Sequence, residues 1–176
     1  MNSSLVITAL GADQPGLIAQ ISHVINDGDC NIEDSRMSVL GGEFAIIMLI
    51  SGSWDKLSKL EAALDKLQTS TGLTIVSKRT EHRATAQGKI PYTIEVISID
   101  HPGIVHQLAE FFSTRGINVY DMMTSSQAAA HTGTPIFSLN MTVEIPADTH
   151  IASLRDEFID FCEQLNLDAV LEPYKA

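Results

Sequence analysis

The first half of the chain contains two kinds of hydrophobic pattern, one typical of strands and one typical of helices, which follow each other along the sequence. Short apolar runs closed by turn residues, such as residues 5–12, are typical of buried strands. Between such runs, apolar residues recur every three or four positions, which is typical of a helix with one buried face. The predicted order is strand, helix, strand, strand, helix, strand, with the strands at residues 5–12, 31–39, 44–51 and 73–78 and the apolar helix stripes at 17–25 and 57–67.

The second half of the chain repeats the first. Residues 13–18, Asp-Gln-Pro-Gly-Leu-Ile, return at residues 100–105 as Asp-His-Pro-Gly-Ile-Val, a shift of 87 residues (100−13). At the same shift Asn31 corresponds to Asn118. Because a repeat of this length indicates two copies of one structural unit, both halves are predicted to adopt the same fold.

Each copy is predicted to be an α+β domain of the ferredoxin-like kind, β-α-β-β-α-β, with two helices on one face of a four-stranded antiparallel sheet. Residues 1–82 form the first predicted domain, residues 83–91 a polar linker, and residues 92–176 the second domain. Domains this small bury modest cores. We therefore expect one copy to pack on the other, or the chain to form a homodimer.

The copies differ in the hairpin between their second and third strands. The second copy has about six additional residues there, within residues 128–134. A loop that is absent from the sister copy serves no shared folding role, so it is a candidate surface for a partner protein. A tolerated insertion without function explains it equally well.

The Asp-x-Pro-Gly corner after the first strand is the candidate site in each copy. Pro15 and Pro102 suit the first helical position, because proline has a helical φ and lacks an N–H that would be unpaired there. The free N–H groups of a helix N-terminus, reinforced by the helix dipole, can receive a carboxylate. In a second interpretation, Asp13 and Asp100 cap the helices and occupy that place themselves.

Charge argues against direct binding to nucleic acid. The net charge is −11, and residues 84–176 hold 4 basic and 12 acidic side chains. No cluster of Lys and Arg is present that could displace the counterions of a phosphate backbone. Any role near DNA is expected to run through another protein.

No pattern of reactive side chains indicates a catalytic or metal site. The six histidines are scattered, and Cys30 and Cys162 are far apart, which favours buried, reduced thiols. We expect no metal, no cofactor and no catalytic residues. The chain starts without a basic segment, and its longest apolar run is too short to span a membrane, so a cytoplasmic protein without a membrane partner is expected.

The corner, followed by an Asn sixteen residues beyond each proline (31−15 and 118−102), resembles the ACT domain, a small regulatory module that binds amino acids. In ACT domains the ligand commonly lies between two domains, held by the corner of one and by the Asn of its neighbour. The resemblance implies ligand-binding roles for Gly11, Asp13, Gly16, Leu17 and Asn31 in the first copy, and for Ser98, Asp100, Gly103, Ile104 and Asn118 in the second.

Two features of the corner leave its role open. The two Asn residues could serve only to turn the chain into the second strand. The family's usual glycine two residues before that Asn is kept as Gly116 in the second copy, whereas the first copy has Asp29 at this position. The site in the first copy is therefore the weaker expectation.

Two tandem domains without a catalytic domain look most like the group of glycine cleavage system transcriptional repressors. The resemblance implies a non-enzymatic regulator that responds to a small amino acid, glycine by preference, and represses transcription by binding an activator protein instead of DNA. The alternatives are a regulatory subunit of an enzyme of amino-acid or one-carbon metabolism, and a dimerisation module without a ligand.

Overall fold

The structure is a computed structural model that describes residues 3–81 and 88–175. It divides into two compact units, residues 1–84 and 85–176, here called unit 1 and unit 2. Each unit consists of a four-stranded antiparallel sheet and two helices, so the predicted fold class is confirmed.

Unit 1 has the predicted element order, with strands of seven to ten residues. Its sheet has the strand order β2-β3-β1-β4, which puts the two hairpin partners β2 and β3 side by side and leaves β2 and β4 as edges. The elements are β1 Ser3–Ala12, α1 Leu17–Asp27, β2 Asn31–Leu40, β3 Glu43–Gly52, α2 Trp54–Thr71 and β4 Thr74–Thr80.

Unit 2 repeats this topology with the strand order β6-β7-β5-β8. Its elements are β5 Lys89–Ile99, α3 Ile104–Ser113, β6 Asn118–Ala128, β7 Pro135–Pro146, α4 Ile151–Gln164 and β8 Asp168–Pro173.

The core of each unit lies between its helices and one face of its sheet. Along β1 the residues Leu5, Ile7 and Ala9 are fully buried, and the alternate residues face away from the helices. The same alternation in β7 buries Phe137, Leu139, Met141, Val143 and Ile145. This period of two is the pattern of a sheet with one covered face.

The two helix pairs differ in how closely their helices approach and in the side chains that lie between them. The backbones of α1 and α2 approach each other more closely than those of α3 and α4. In unit 2 the space between the helices is filled by aromatic rings, since Phe111 contacts Phe112, Phe158 and Phe161 at centroid distances of 4.9–5.4 Å.

The two hairpins differ in the way that the sequence indicates. In unit 1, Gly41 and Gly42 form a two-residue turn with φ of 61° and 86°, the left-handed backbone that such hairpins require. In unit 2, residues 129–134 separate β6 from β7. Hydrogen bonds within this loop close it, from Ala129 N to Thr134 O at 2.8 Å and from Gly133 N to Ala129 O at 2.8 Å.

The predicted helix starts at Pro15 and Pro102 are wrong. α1 begins at Leu17 and α3 at Ile104, and the residue before each is a glycine with left-handed backbone. A residue with that backbone breaks helical geometry, so the helix starts only after it. The prolines lie in the turn that precedes it.

The predicted linker, residues 83–91, lies largely outside the described residues. Its last part is different from the prediction, because β5 begins at Lys89 and not at residue 92. Lys89 pairs with Pro146 and Ile90 with Ile145 on β7, and this pairing extends the strand through residues that look like linker in the sequence.

Candidate ligand-binding corners

A glycine in left-handed conformation forms each corner, Gly16 with φ 94° and Gly103 with φ 99°. The first helical hydrogen bonds run from Gln20 N to Gly16 O at 2.9 Å and from Gln107 N to Gly103 O at 3.0 Å. The N–H groups between these residues precede the first turn and have no acceptor among the described residues. Each corner therefore presents main-chain donors at the positive end of a helix dipole.

Helix capping by the corner aspartates is wrong. The N-cap residues are Gly16 and Gly103, and neither helix has a side-chain cap. The carboxylate of Asp100 instead accepts a hydrogen bond from Ser126 Oγ at 2.6 Å, which ties the corner to β6. Asp13 is exposed, and no described residue bonds to its carboxylate. The helix N-termini are thus left open for an external anion.

Gly11 and Ser98 occupy equivalent positions near the ends of β1 and β5, but their surroundings differ. A Cβ atom on Gly11 would lie 2.9 Å from Leu73 Cδ2, so close packing alone accounts for glycine there. Ser98 is buried, and its Oγ donates to Ile99 O at 3.1 Å. Gly11 has no side chain to contact a ligand, and the Ser98 hydroxyl is buried and bonded to the main chain.

Leu17 and Ile104, the first residues of the two helices, are each 2% exposed. Their side chains pack in the cores of their units. Only their main-chain N–H groups can take part in ligand binding.

Asn31 and Asn118 start the edge strands β2 and β6, and each is held by a glutamate. Asn31 Nδ2 donates to Glu33 Oε1 at 3.3 Å, and Asn118 Nδ2 donates to Glu144 Oε2 at 3.3 Å. With the amide nitrogen bonded to a glutamate, each Asn keeps a side-chain oxygen that can accept a hydrogen bond. That atom is an acceptor, which an ammonium group requires.

Within one unit the structure does not bring the corner and the Asn together. Asn31 pairs with Ser51, which pairs with Ser4, whereas the corner follows Ala12 at the far end of β1. Eight residues of strand separate the two points, about 27 Å at roughly 3.4 Å per residue. In unit 2, Asn118 pairs with Glu144 and is equally far from the corner after Ile99.

The sequence did not reveal the polar partners of these residues. Glu144 and Ser126 contact Asn118 and Asp100 across 26 positions of sequence, whereas Glu33 lies two residues after Asn31 on the same strand. Only the register of the hairpins determines that Glu144 faces Asn118, and a one-residue shift would place it on the opposite face.

Metal-ligating side chains and cysteine thiols are the other candidate reactive groups. The described residues contain no cluster of three or more His, Cys, Asp or Glu side chains that could hold a metal ion. Burial raises the pKa of the Cys162 thiol to about 12, and burial also raises the pKa of Cys30, where the charge of Lys56 opposes it. Among the described residues no helix is long and apolar enough to cross a membrane.

Comparison with known proteins decides the family. The family model of the ACT domain matches residues 3–78. The glycine cleavage system transcriptional repressor of Escherichia coli (strain K12) is 33% identical over 162 residues, 92% of this chain and 85% of that protein. The chain belongs to the family of the glycine cleavage system transcriptional repressor.

Two solved structures are similar to nearly the whole chain. A solved structure provisionally named as a glycine cleavage system transcriptional repressor has a TM-score of 0.76 and 28% identity, and covers 100% of this chain and 99% of that one. A protein of unknown function from Galdieria sulphuraria has a TM-score of 0.81, 25% identity and 99% coverage of this chain and 100% of that one. Both units of this repressor-family chain are ACT domains, and its role is regulatory.

Proposed function

We propose that this chain is a non-enzymatic regulator that senses a small amino acid, glycine by preference, and represses transcription by binding an activator protein instead of DNA. The observation that carries the proposal is similarity to a glycine cleavage system transcriptional repressor along 92% of the chain. The duplicated corner supports it, since each unit presents a helix N-terminus without a side-chain cap, the kind of position that suits an anion.

The chemistry of the corner fits a free amino acid. The ligand's carboxylate would accept hydrogen bonds from the N–H groups that follow Gly16 or Gly103, close to the backbone because glycine has no side chain there. The ligand's ammonium group would donate to the side-chain oxygen of Asn31 or Asn118. Gly11, Asp13, Leu17, Ser98, Asp100 and Ile104 would complete the surroundings, with Leu17 and Ile104 contributing only main chain.

A complete site requires a second ACT unit, because each unit carries the corner and the Asn at opposite ends of its sheet. We propose that the Asn comes from a unit of a second copy of the chain, so homodimerisation is part of the proposal.

Isothermal titration calorimetry with the twenty amino acids tests ligand binding. We expect glycine or another small amino acid to bind, and Asn31→Ala or Asn118→Ala to weaken its binding by about 1–3 kcal/mol, because a charged ligand group loses its partner. Asn140→Ala is the matched control, since this exposed Asn lies on β7 and outside the corners. Unchanged affinity in both single variants and in the double variant would show that these Asn residues bind no ligand.

Response of the partner protein to the ligand tests regulation. A ligand at 100 times its dissociation constant stabilises the state that binds it by about 2.7 kcal/mol, nearly a hundredfold in population. By thermodynamic linkage, the ligand changes the affinity for the partner by a certain factor, and the partner must change the affinity for the ligand by the same factor. If a pull-down identified an enzyme as the partner, the proposed repressor function would be wrong and the chain would be a regulatory subunit of that enzyme. If the affinity for the partner were equal with and without ligand, the sensor function would be wrong and the dimerisation module would remain as the alternative.

A further inference from the structure

A cleft of about 580 Å³ lies between α3 and α4, on the side of unit 2 that faces away from its sheet. Its floor is aromatic. The rings of Phe111 and Phe161 have centroids 4.9 Å apart with an interplanar angle of 34°. Both rings belong to residues that line the cleft.

The floor already binds one guanidinium group. The central carbon of the Arg115 guanidinium lies 3.8 Å from the centroid of the Phe111 ring, at the distance of a cation–π contact. Arg115 also pairs with Glu157, with Nη2 3.1 Å from Oε2. The chemistry that holds a planar cation is therefore present within the cleft.

The rim of the cleft contains more negative charge than its own cations neutralise. Glu110, Glu157 and Asp160 line it, and Arg115 is the one basic side chain that lines it with them. No cation among the described residues forms an ion pair with Asp160. Gln107 also lines the cleft, but its Oε1 atom is buried and has no donor among the described residues. The carboxylate of Asp160 is the group that the cleft offers to a cation from outside.

Unit 1 keeps a glutamine, Gln20, at the position of Gln107, but lacks the Phe111 ring and two of the carboxylates at the equivalent positions. At the shift of 87 residues, Phe111 corresponds to Val24 and Glu110 to His23. In the second helix the shift is 94, set by Leu167 and Leu73 (167−73), and there Asp160 corresponds to Lys66. The cleft is consequently a property of unit 2 and plays no part in the shared ligand chemistry of the two corners.

We propose that this cleft is the docking site for an arginine side chain in a segment of the partner protein. A guanidinium group fits better than an ammonium group, because it is planar, stacks on aromatic rings and carries five N–H donors. In the proposed arrangement it stacks on Phe161 and pairs with Asp160, which both line the cleft. The identification of the partner as a regulated protein rests on the proposed function, whereas the docking chemistry does not.

The test is an NMR titration of the full chain, at physiological salt, with a short acetylated and amidated Gly-Ser-Arg-Gly-Arg-Ser-Gly peptide. We expect shifts in the side-chain amide of Gln107 and in the ring signals of Phe161. The same peptide with citrulline in place of arginine, which has the shape without the charge, should bind roughly tenfold more weakly or not at all.

Two variants of α4 separate docking from general charge attraction. Asp160→Lys installs the residue of unit 1 and should weaken peptide binding about tenfold or more, since it places a cation in the cleft. Glu163→Lys makes the same charge change at an exposed position of the same helix that does not line the cleft, and should change affinity less than about twofold. Circular dichroism confirms that both variants are folded.

Equal weakening by the two variants, equal binding of the citrulline peptide, or no shift at Gln107 and Phe161 would each overturn the proposal. Calorimetry of the Asp160→Lys variant with glycine distinguishes the cleft from the corners, because this variant should bind the amino acid as wild type does. If wild type bound the peptide and no amino acid, docking would stand and the proposed sensor function would fail.

Discussion

Gly16 and Gly103 give each corner a backbone that other residues adopt at a cost. Their φ angles of 94° and 99° place the chain so that the following N–H groups point away from the helix. An added Cβ on Gly103 would meet no atom within 4 Å, so space is not the constraint. The requirement is conformational, which makes it possible to test the backbone separately from packing.

Gly103→Ala should therefore destabilise unit 2 by about 1–2 kcal/mol through left-handed strain alone. Gly103→Asn should cost less, because Asn tolerates this region more readily. Urea unfolding of the three proteins measures the difference in free energy of unfolding. Equal stability of the alanine variant and wild type, or a lower stability for asparagine than for alanine, would contradict this origin.

The corner also shows where sequence reasoning fails at the scale of single residues. Proline followed by glycine suggested a helix that starts at the proline and an aspartate that caps it. The left-handed glycine moves the start to Leu17 and Ile104 and leaves the aspartates too far away to cap. Backbone state, which residue type alone does not specify, decides both outcomes. Ligand binding at these residues stays a prediction.

At the scale of elements, Arg79 joins β4 to α2. Its guanidinium donates to both carboxylate oxygens of Glu61, at 2.9 and 2.8 Å, and to Ser58 Oγ at 2.9 Å. It also lies 5.7 Å from the centroid of the Trp54 ring. Hydrogen bonding to Arg79 lowers the pKa of Glu61 below its ordinary value of 4.5.

This contact should stabilise unit 1 in a pH-dependent way. A lowered folded-state pKa means that the stabilisation is complete above about pH 4.5 and is lost as the pH falls through the folded-state value. Glu61→Gln should therefore be less stable than wild type by about 0.5–1 kcal/mol at neutral pH, because both side chains are about one third exposed.

Urea unfolding of wild type and Glu61→Gln at a series of pH values checks the Glu61 prediction. The difference between them should shrink toward zero in acid. Asp65→Asn is the matched control, an exposed carboxylate on the same helix outside this contact. A difference that stays constant down to pH 2–3 would show that Glu61 acts through packing and not through its charge.

Most elements could be predicted from apolar periodicity, because strands with one covered face and helices with one buried stripe leave a local signature. The start of β5 could not. Lys89 and Ile90 are extended because they pair with β7, more than fifty positions away in sequence. Local polarity alone therefore suggested a linker. Strand register likewise brings Glu144 to Asn118, from 26 positions away in sequence.

At the scale of the whole molecule, charge predicts how the chain behaves toward DNA. A net charge of −11 should keep the purified protein from binding duplex DNA near physiological salt. Fluorescence anisotropy with labelled duplex measures this. Tight binding that weakens steeply with salt, with a logarithmic slope of about −5 to −9 as for six to ten phosphate contacts, would refute it.

The two units contain different natural probes. Trp54, the only tryptophan, lies in unit 1 beside Arg79, whereas Cys162, buried to 1% exposure, lies in the core of unit 2. Fluorescence during denaturation therefore follows one unit, and the rate of thiol labelling at Cys162 follows opening of the other. Coincident midpoints would show one cooperative folding transition, while separate midpoints would show two domains that can respond to a ligand independently.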